Sequence, residues 1–114
     1  MVIKTRMYGT SLYVEINGEL DHHNTEILRD ALQNAVLNKH VSNIIFDFSK
    51  LKFMDSSGVG LILGRYKEVK KQGGQIGIVN ASPQVDRIMD ISGLKKIIKT
   101  FESSKEAIKE FEGV

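Results

Sequence analysis

The stretch from Asn43 to Val69 limits the possible folds more than any other part of the chain. Asn43 to Phe48 is a short, nearly continuous apolar run rich in β-branched and aromatic residues, the pattern of a strand buried on both faces of a mostly parallel sheet. Further on, Val59, Ile62, Leu63, Tyr66 and Val69 recur at helical spacing. Between the two lies the small polar turn Asp55-Ser56-Ser57-Gly58, which makes this stretch a strand-to-helix junction. Leu51 and Phe53 are expected to anchor the loop that presents Asp55 and Ser56.

The flanking segments extend the same logic. Val2 to Met7 and Leu12 to Asn17 alternate in period two, with Leu12, Val14 and Ile16 on one face, and Tyr8 to Ser11 reads as a tight turn. The chain is therefore expected to open with a hairpin at a sheet edge. Gly18 to His23 leads into a helix whose buried stripe is Ile27, Leu28, Ala31, Leu32, Ala35 and Val36, capped by either Asp21 or Asn24. After the central helix, which ends near Lys70 to Gly74, come a strand over Gln75 to Asn80 and a helix opened by Ser82-Pro83 and closed by Gly93. Val85, Ile88 and Met89 face its core side. Ile97 to Phe101 is a last strand, and Ser103 with Glu106 caps a final helix carrying Ala107, Ile108 and Phe111 inward. The alternation of strands and helices predicts an α/β fold, a mixed β-sheet with helices packed on it.

Composition sets the outer limits. With 114 residues, 41% hydrophobic and 26% charged, the chain has the make-up of one ordinary globular domain spanning 1–114. A net charge of +2, from 16 basic and 14 acidic residues that interleave, argues against a clustered nucleic-acid field. The absence of cysteine excludes disulfides and thiolate metal sites. Met1 to Met7 lacks the apolar core of a signal peptide, and no run approaches the roughly 18 apolar residues that span a bilayer, so a cytoplasmic protein without membrane contact is expected.

The polar turn carries the chemistry. Asp55, Ser56 and Ser57 all suit a helix N-terminus, because their short side-chain oxygens accept hydrogen bonds from free backbone N–H groups. The positive end of a helix also tolerates a phosphate, so a phosphoserine forms there without melting the helix. On a wheel, Ser57, Gly60, Leu61, Gly64 and Arg65 fall opposite the apolar residues and form a small, solvent-facing stripe. Each glycine in a helix interior costs about 1 kcal/mol relative to alanine. Gly60 and Gly64 therefore call for a reason, either close approach of a partner or tight packing within the domain.

The segments Gly18-Glu19-Leu20-Asp21-His22-His23 and Phe53 to Lys67 together resemble the STAS-domain anti-sigma factor antagonists over essentially the whole chain. The resemblance implies the STAS fold and a cytoplasmic partner-switching protein that regulates transcription in sporulation. The serine directly after the aspartate, here Ser56, would be phosphorylated by an anti-sigma factor that is also a serine kinase, and a PP2C-type phosphatase would reverse this. The unmodified form would bind the anti-sigma factor and free the sigma factor. The choice of Ser56 over Ser57 rests on the family pattern. Asp21 is expected beside the serine, and the expected partner-binding set is Asp21, Asp55, Ser57, Gly58, Gly60, Leu61, Gly64 and Arg65. No cofactor is implied. Other STAS domains serve stress signalling or transporter tails.

Two other classes of function fare worse. A hydrolase using Ser56 or Ser57 with His22 or His23 as base lacks the G-x-S-x-G elbow and any assignable oxyanion donors. Weak nucleotide binding at the glycine-bearing helix start has no G-x-G-x-x-G or P-loop behind it. Asp21, His22 and His23 invite a metal reading, but adjacent residues at a helix start point in different directions and no further ligand cluster accompanies them.

Overall fold

The computed structural model describes residues 1–38 and 40–113, without the side chains of Leu37 and Asn38. Strands β1 (Val2–Tyr8) and β2 (Ser11–Leu20) form the expected antiparallel hairpin, in register from Tyr8↔Ser11 to Val2↔Asn17. The turn between them needs Gly9, whose φ of 59° lies in the left-handed region. Then come α1 (His22–Asn38), β3 (Asn43–Asp47), β4 (Leu51–Met54), α2 (Ser56–Lys70), β5 (Ile76–Val79), α3 (Pro83–Ile91), β6 (Lys99–Phe101) and α4 (Ser104–Glu112). The sheet runs β1-β2-β3-β5-β6, with β4 paired to β2 off this path. All pairings except β1–β2 are parallel.

Alternation along β2 decides the layering. Leu12, Val14 and Ile16 are fully buried under α1, α2 and α3, in one core with Leu28, Leu32, Leu61, Ile62, Val85 and Met89. On the other face, α4 lays Ala107, Ile108 and Phe111 over Ile45 and Val79. Strand β3 is covered on both sides and is buried at every position, in keeping with its nearly continuous apolar run.

A polar cluster on the α4 face was not evident in the sequence. The Tyr13 hydroxyl donates to Asp47 Oδ2 at 2.5 Å, while the Ser49 backbone N–H (2.9 Å) and Asn80 Nδ2 (3.3 Å) donate to Oδ1. Burial alone would raise the Asp47 carboxyl, but these bonds outweigh it and hold the group below its ordinary value. Burial, aided by the same bond to Asp47, pushes the Tyr13 phenol up.

Helix ends follow local chemistry. Ser82 Oγ accepts the Val85 N–H at 3.2 Å and Ser103 Oγ the Glu106 N–H at 3.1 Å. The Gly74 N–H closes α2 on the Val69 carbonyl at 2.8 Å. Three expectations are corrected. The last strand begins only at Lys99, because a 3₁₀ turn over Leu94–Lys96 takes up the preceding residues. On α1, Ile27 is 47% exposed and Ala31 also faces out, because the sheet receives the narrower stripe Thr25, Leu28 and Leu32, with Ala35 and Val36 packed partly buried at its end as expected. Residues 51–54 form a strand rather than a loop. Met54 (1% exposed) and Leu51 (6%) anchor it, and Phe53, at 39%, does not.

Candidate functional site

Strand β2 is ten residues long, so it has two parallel neighbours along one edge. Its first half pairs with β3 and its last residues with β4, ending at Leu20↔Met54. Each of these two adjacent strand ends is followed by an aspartate. Asp21 Oδ1 accepts the Asn24 N–H at 2.9 Å and Asp55 Oδ1 accepts the Ser57 N–H at 2.8 Å. The Asp55 N–H in turn donates to the Leu20 carbonyl at 3.3 Å. Two acid-capped helix N-termini thus open side by side, bringing the Gly18–His23 segment to the polar turn. Asp21, not Asn24, caps α1, and Asn24 Nδ2 instead donates to the Glu19 carbonyl at 3.0 Å.

Ser56 is the first residue of α2 and is exposed, whereas Ser57 is half-buried. Its hydroxyl stands at the positive end of the helix with Asp55 directly before it. Among the described residues, no hydrogen bond joins either serine hydroxyl to an imidazole. His22 Nε2 lies 3.5 Å from the Glu26 carboxylate instead. Among the described residues no three or more potential ligands gather to hold a metal ion. No described helix is long and apolar enough to cross a membrane.

The rotation of α2 differs from the wheel expectation. Gly58, Leu61, Ile62, Arg65 and Val69 are buried, so Leu61 and Arg65 do not belong to the outer stripe, and Gly58, expected in the partner-binding set, lies inside as well. The cause is a close approach at Gly58, where a Cβ would lie 2.7 Å from Met54 Cγ and 3.1 Å from Leu20 Cβ. That contact turns the 58–61–65 line onto the sheet, and a wheel weighted by large apolar side chains does not register it. Leu63, expected inside, is 37% exposed. Arg65 is 6% exposed, its Nε paired with Glu68 and its Nη1 buried with no hydrogen-bond partner among the described residues.

The outer stripe that remains is Ser56, Gly60, Leu63, Gly64 and Lys67. A Cβ at Gly60 or Gly64 would meet no atom within 4 Å, so packing inside the domain does not explain either glycine. The end of α3 brings Ile88, Ile91 and Ser92 beside Ser56. The sequence gives no sign of that neighbourhood. The pairing of Asp21 with Asp55 left a trace, since an apolar residue precedes an aspartate and a helix start twice, at Leu20-Asp21 and Met54-Asp55.

Comparisons with known proteins agree with this fold. Residues 2–107 match the family model described as the STAS domain. The chain is 39% identical over 103 residues to the anti-sigma F factor antagonist of Paenibacillus polymyxa, covering 90% of this chain and 88% of that one. Among solved structures it superimposes on the anti-sigma factor antagonist SpoIIAA in its unphosphorylated form with a TM-score of 0.88 at 35% identity, covering 99% of this chain and 98% of that one. The phosphorylated form of the Bacillus cell fate determinant SpoIIAA gives a TM-score of 0.76 at 34% identity, covering 96% and 98%.

Proposed function

The chain belongs to the STAS-domain anti-sigma factor antagonists, and from that premise we propose that it is a cytoplasmic partner switch controlled by phosphorylation of Ser56. In the unmodified form it binds an anti-sigma factor that is also a serine kinase, and the sigma factor is released. Phosphorylation of Ser56 ends that binding, and a PP2C-type phosphatase restores it. The whole of 1–114 acts as a single domain, without a cofactor, in the control of sporulation transcription.

The observation that carries the proposal is an exposed Ser56 at the first position of α2, beside a second acid-capped helix start. The helix N-terminus favours the phosphate by roughly 0.3–1 kcal/mol, so the modified chain keeps its fold. Seen from outside, the effect is opposite. The phosphate adds about −1.5 to −2 of charge next to Asp55 and Asp21. The net charge only falls from +2 to roughly zero, too small a change in overall field to select partners. At short range, a dianion that must lose water against a docked surface costs several kcal/mol, and each ~1.4 kcal/mol is tenfold in affinity. The block is therefore local.

The partner surface consists of Asp21, Asp55, Ser57 and the outward stripe through Gly60 and Gly64, where open space admits a partner's backbone. Gly58, Leu61 and Arg65 support it from beneath. Incubation with the anti-sigma kinase and ATP, followed by fragmentation mass spectrometry of the peptide from Asp55 to Arg65, tests the proposal. A single phosphate on Ser56, absent in Ser56→Ala, is the expected result. An active kinase that leaves Ser56 unmodified overturns it.

A further inference from the structure

Ser56 is also part of the wall of an open groove of about 310 Å³. The β4–α2 junction supplies one side through Met54, Ser56 and Val59, and the end of α3 supplies the other through Ile88 and Ile91. Apart from the serine hydroxyls and the Asp55 rim, the lining is apolar. Ile91 is 79% exposed, between the exposed polar residues Asp90 and Ser92. A lone exposed isoleucine needs no explanation, but one that continues an apolar groove leading to the proposed phosphorylation site forms a patch.

We propose that this groove is the apolar half of the partner interface and receives an apolar side chain of the anti-sigma factor. The inference rests on the function proposed above and extends it to α3, which the partner-binding set did not include. Two observations name the occupant. Ser56 lies in the wall, so a protein that docks over the serine must cover the groove as well. The rim carries Asp55, which matches an apolar side chain flanked by a basic one. An anionic lipid surface, or a second copy of the same acid-rimmed groove, would set like charge against like.

The groove also gives the switch its chemistry. Filling it strips water from the Ser56 hydroxyl, which a neutral group tolerates and a phosphate dianion does not. Phosphorylation and loss of the apolar contact therefore act on one event, and their effects on affinity are not additive.

The test uses the full chain with the anti-sigma factor, comparing Ile91→Glu and Ile91→Ser with Val2→Glu, a control on β1 at 53% exposure. Loss of a buried apolar anchor predicts a Kd roughly tenfold higher or more for Ile91→Glu, a smaller rise for Ile91→Ser and no change for Val2→Glu. Urea midpoints should be the same for all three, because neither site is packed. Ile91 variants that bind within about twofold of the parent, while Ser56 is still phosphorylated, overturn the groove and leave the switch standing. Failure of the parent chain both to bind and to be phosphorylated by an active kinase removes both. Self-association of the parent chain that Ile91→Glu abolishes would assign the groove to a second copy and overturn the inference.

Discussion

The glycines of α2 allow a test in which neighbouring substitutions of the same kind have opposite signs. Gly→Ala in a helix interior is favoured by about 1 kcal/mol through backbone entropy, provided the added methyl meets nothing. At Gly60 and Gly64 no atom beyond the helix's own neighbouring backbone lies within 4 Å of the new Cβ among the described residues. Each substitution should therefore stabilise the domain by up to about 1 kcal/mol, which raises the Tm of a domain this size by up to roughly 4 °C. The two sites are one helical turn apart on the outer face, near enough for the added methyls to touch, so the double variant measures the coupling between them. At Gly58 the Cβ would stand 2.7 Å from Met54 Cγ, 3.1 Å from Leu20 Cβ and 3.4 Å from the Leu20 carbonyl. Met54 is 1% exposed and Leu20 fully buried, so neither moves freely. Overpacking of this kind costs about 1–3 kcal/mol and outweighs the entropic gain. Urea unfolding with thermal melts as a second probe measures all three. Gly58→Ala more stable than the parent chain, or Gly60→Ala less stable, would refute the assigned rotation of α2. If the outer stripe meets a partner's backbone, Gly60→Ala and Gly64→Ala should also weaken anti-sigma factor binding while raising stability, a pairing that no folding defect produces.

Other outcomes follow from particular contacts. Tyr13→Phe removes a donor from Asp47 and should cost about 1–3 kcal/mol at pH 7. The Asp47 carboxyl is held below its unfolded value, so its contribution is complete above about pH 4 and is lost as pH falls through the folded value; the gap between parent and variant in urea midpoint should narrow toward pH 3, and a gap constant from pH 7 to 3 would sink the assignment. Asp55→Ala should lose roughly 1 kcal/mol in thermal unfolding through the α2 cap, while Asp55→Asn keeps most of it, and equal losses would mean charge rather than capping is at work. Arg65→Met replaces a buried guanidinium, whose Nη1 has no partner among the described residues, with an apolar chain of similar length. It should leave urea stability within about 1 kcal/mol or raise it. It should also leave anti-sigma factor affinity unchanged, and a large loss of affinity would return Arg65 to the interface.

Much of this protein follows from its sequence because the signals are local. The β2 alternation over Leu12, Val14 and Ile16, the nearly continuous apolar run of β3, and the caps Ser82, Ser103 and Asp55 each depend on a few neighbouring residues whose hydrogen bonds and burial repeat from protein to protein. The resemblance at Gly18–His23 and Phe53–Lys67 adds the family. Tertiary structure decided whatever depends on which distant surfaces meet. Residues 51–54 are a strand only because β2 extends past β3 and offers them an edge. Asp21 and Asp55 lie side by side only because those two parallel strands end together. The wheel for α2 placed Leu61 and Arg65 outside because it counts apolar side chains, whereas the helix is turned by the closest approach of its backbone to the sheet, at Gly58. The groove beside Ser56 depends on where α3 is laid, more than thirty residues along the chain. Periodicity states that a helix has a buried side, but the neighbour that comes nearest selects which side it is.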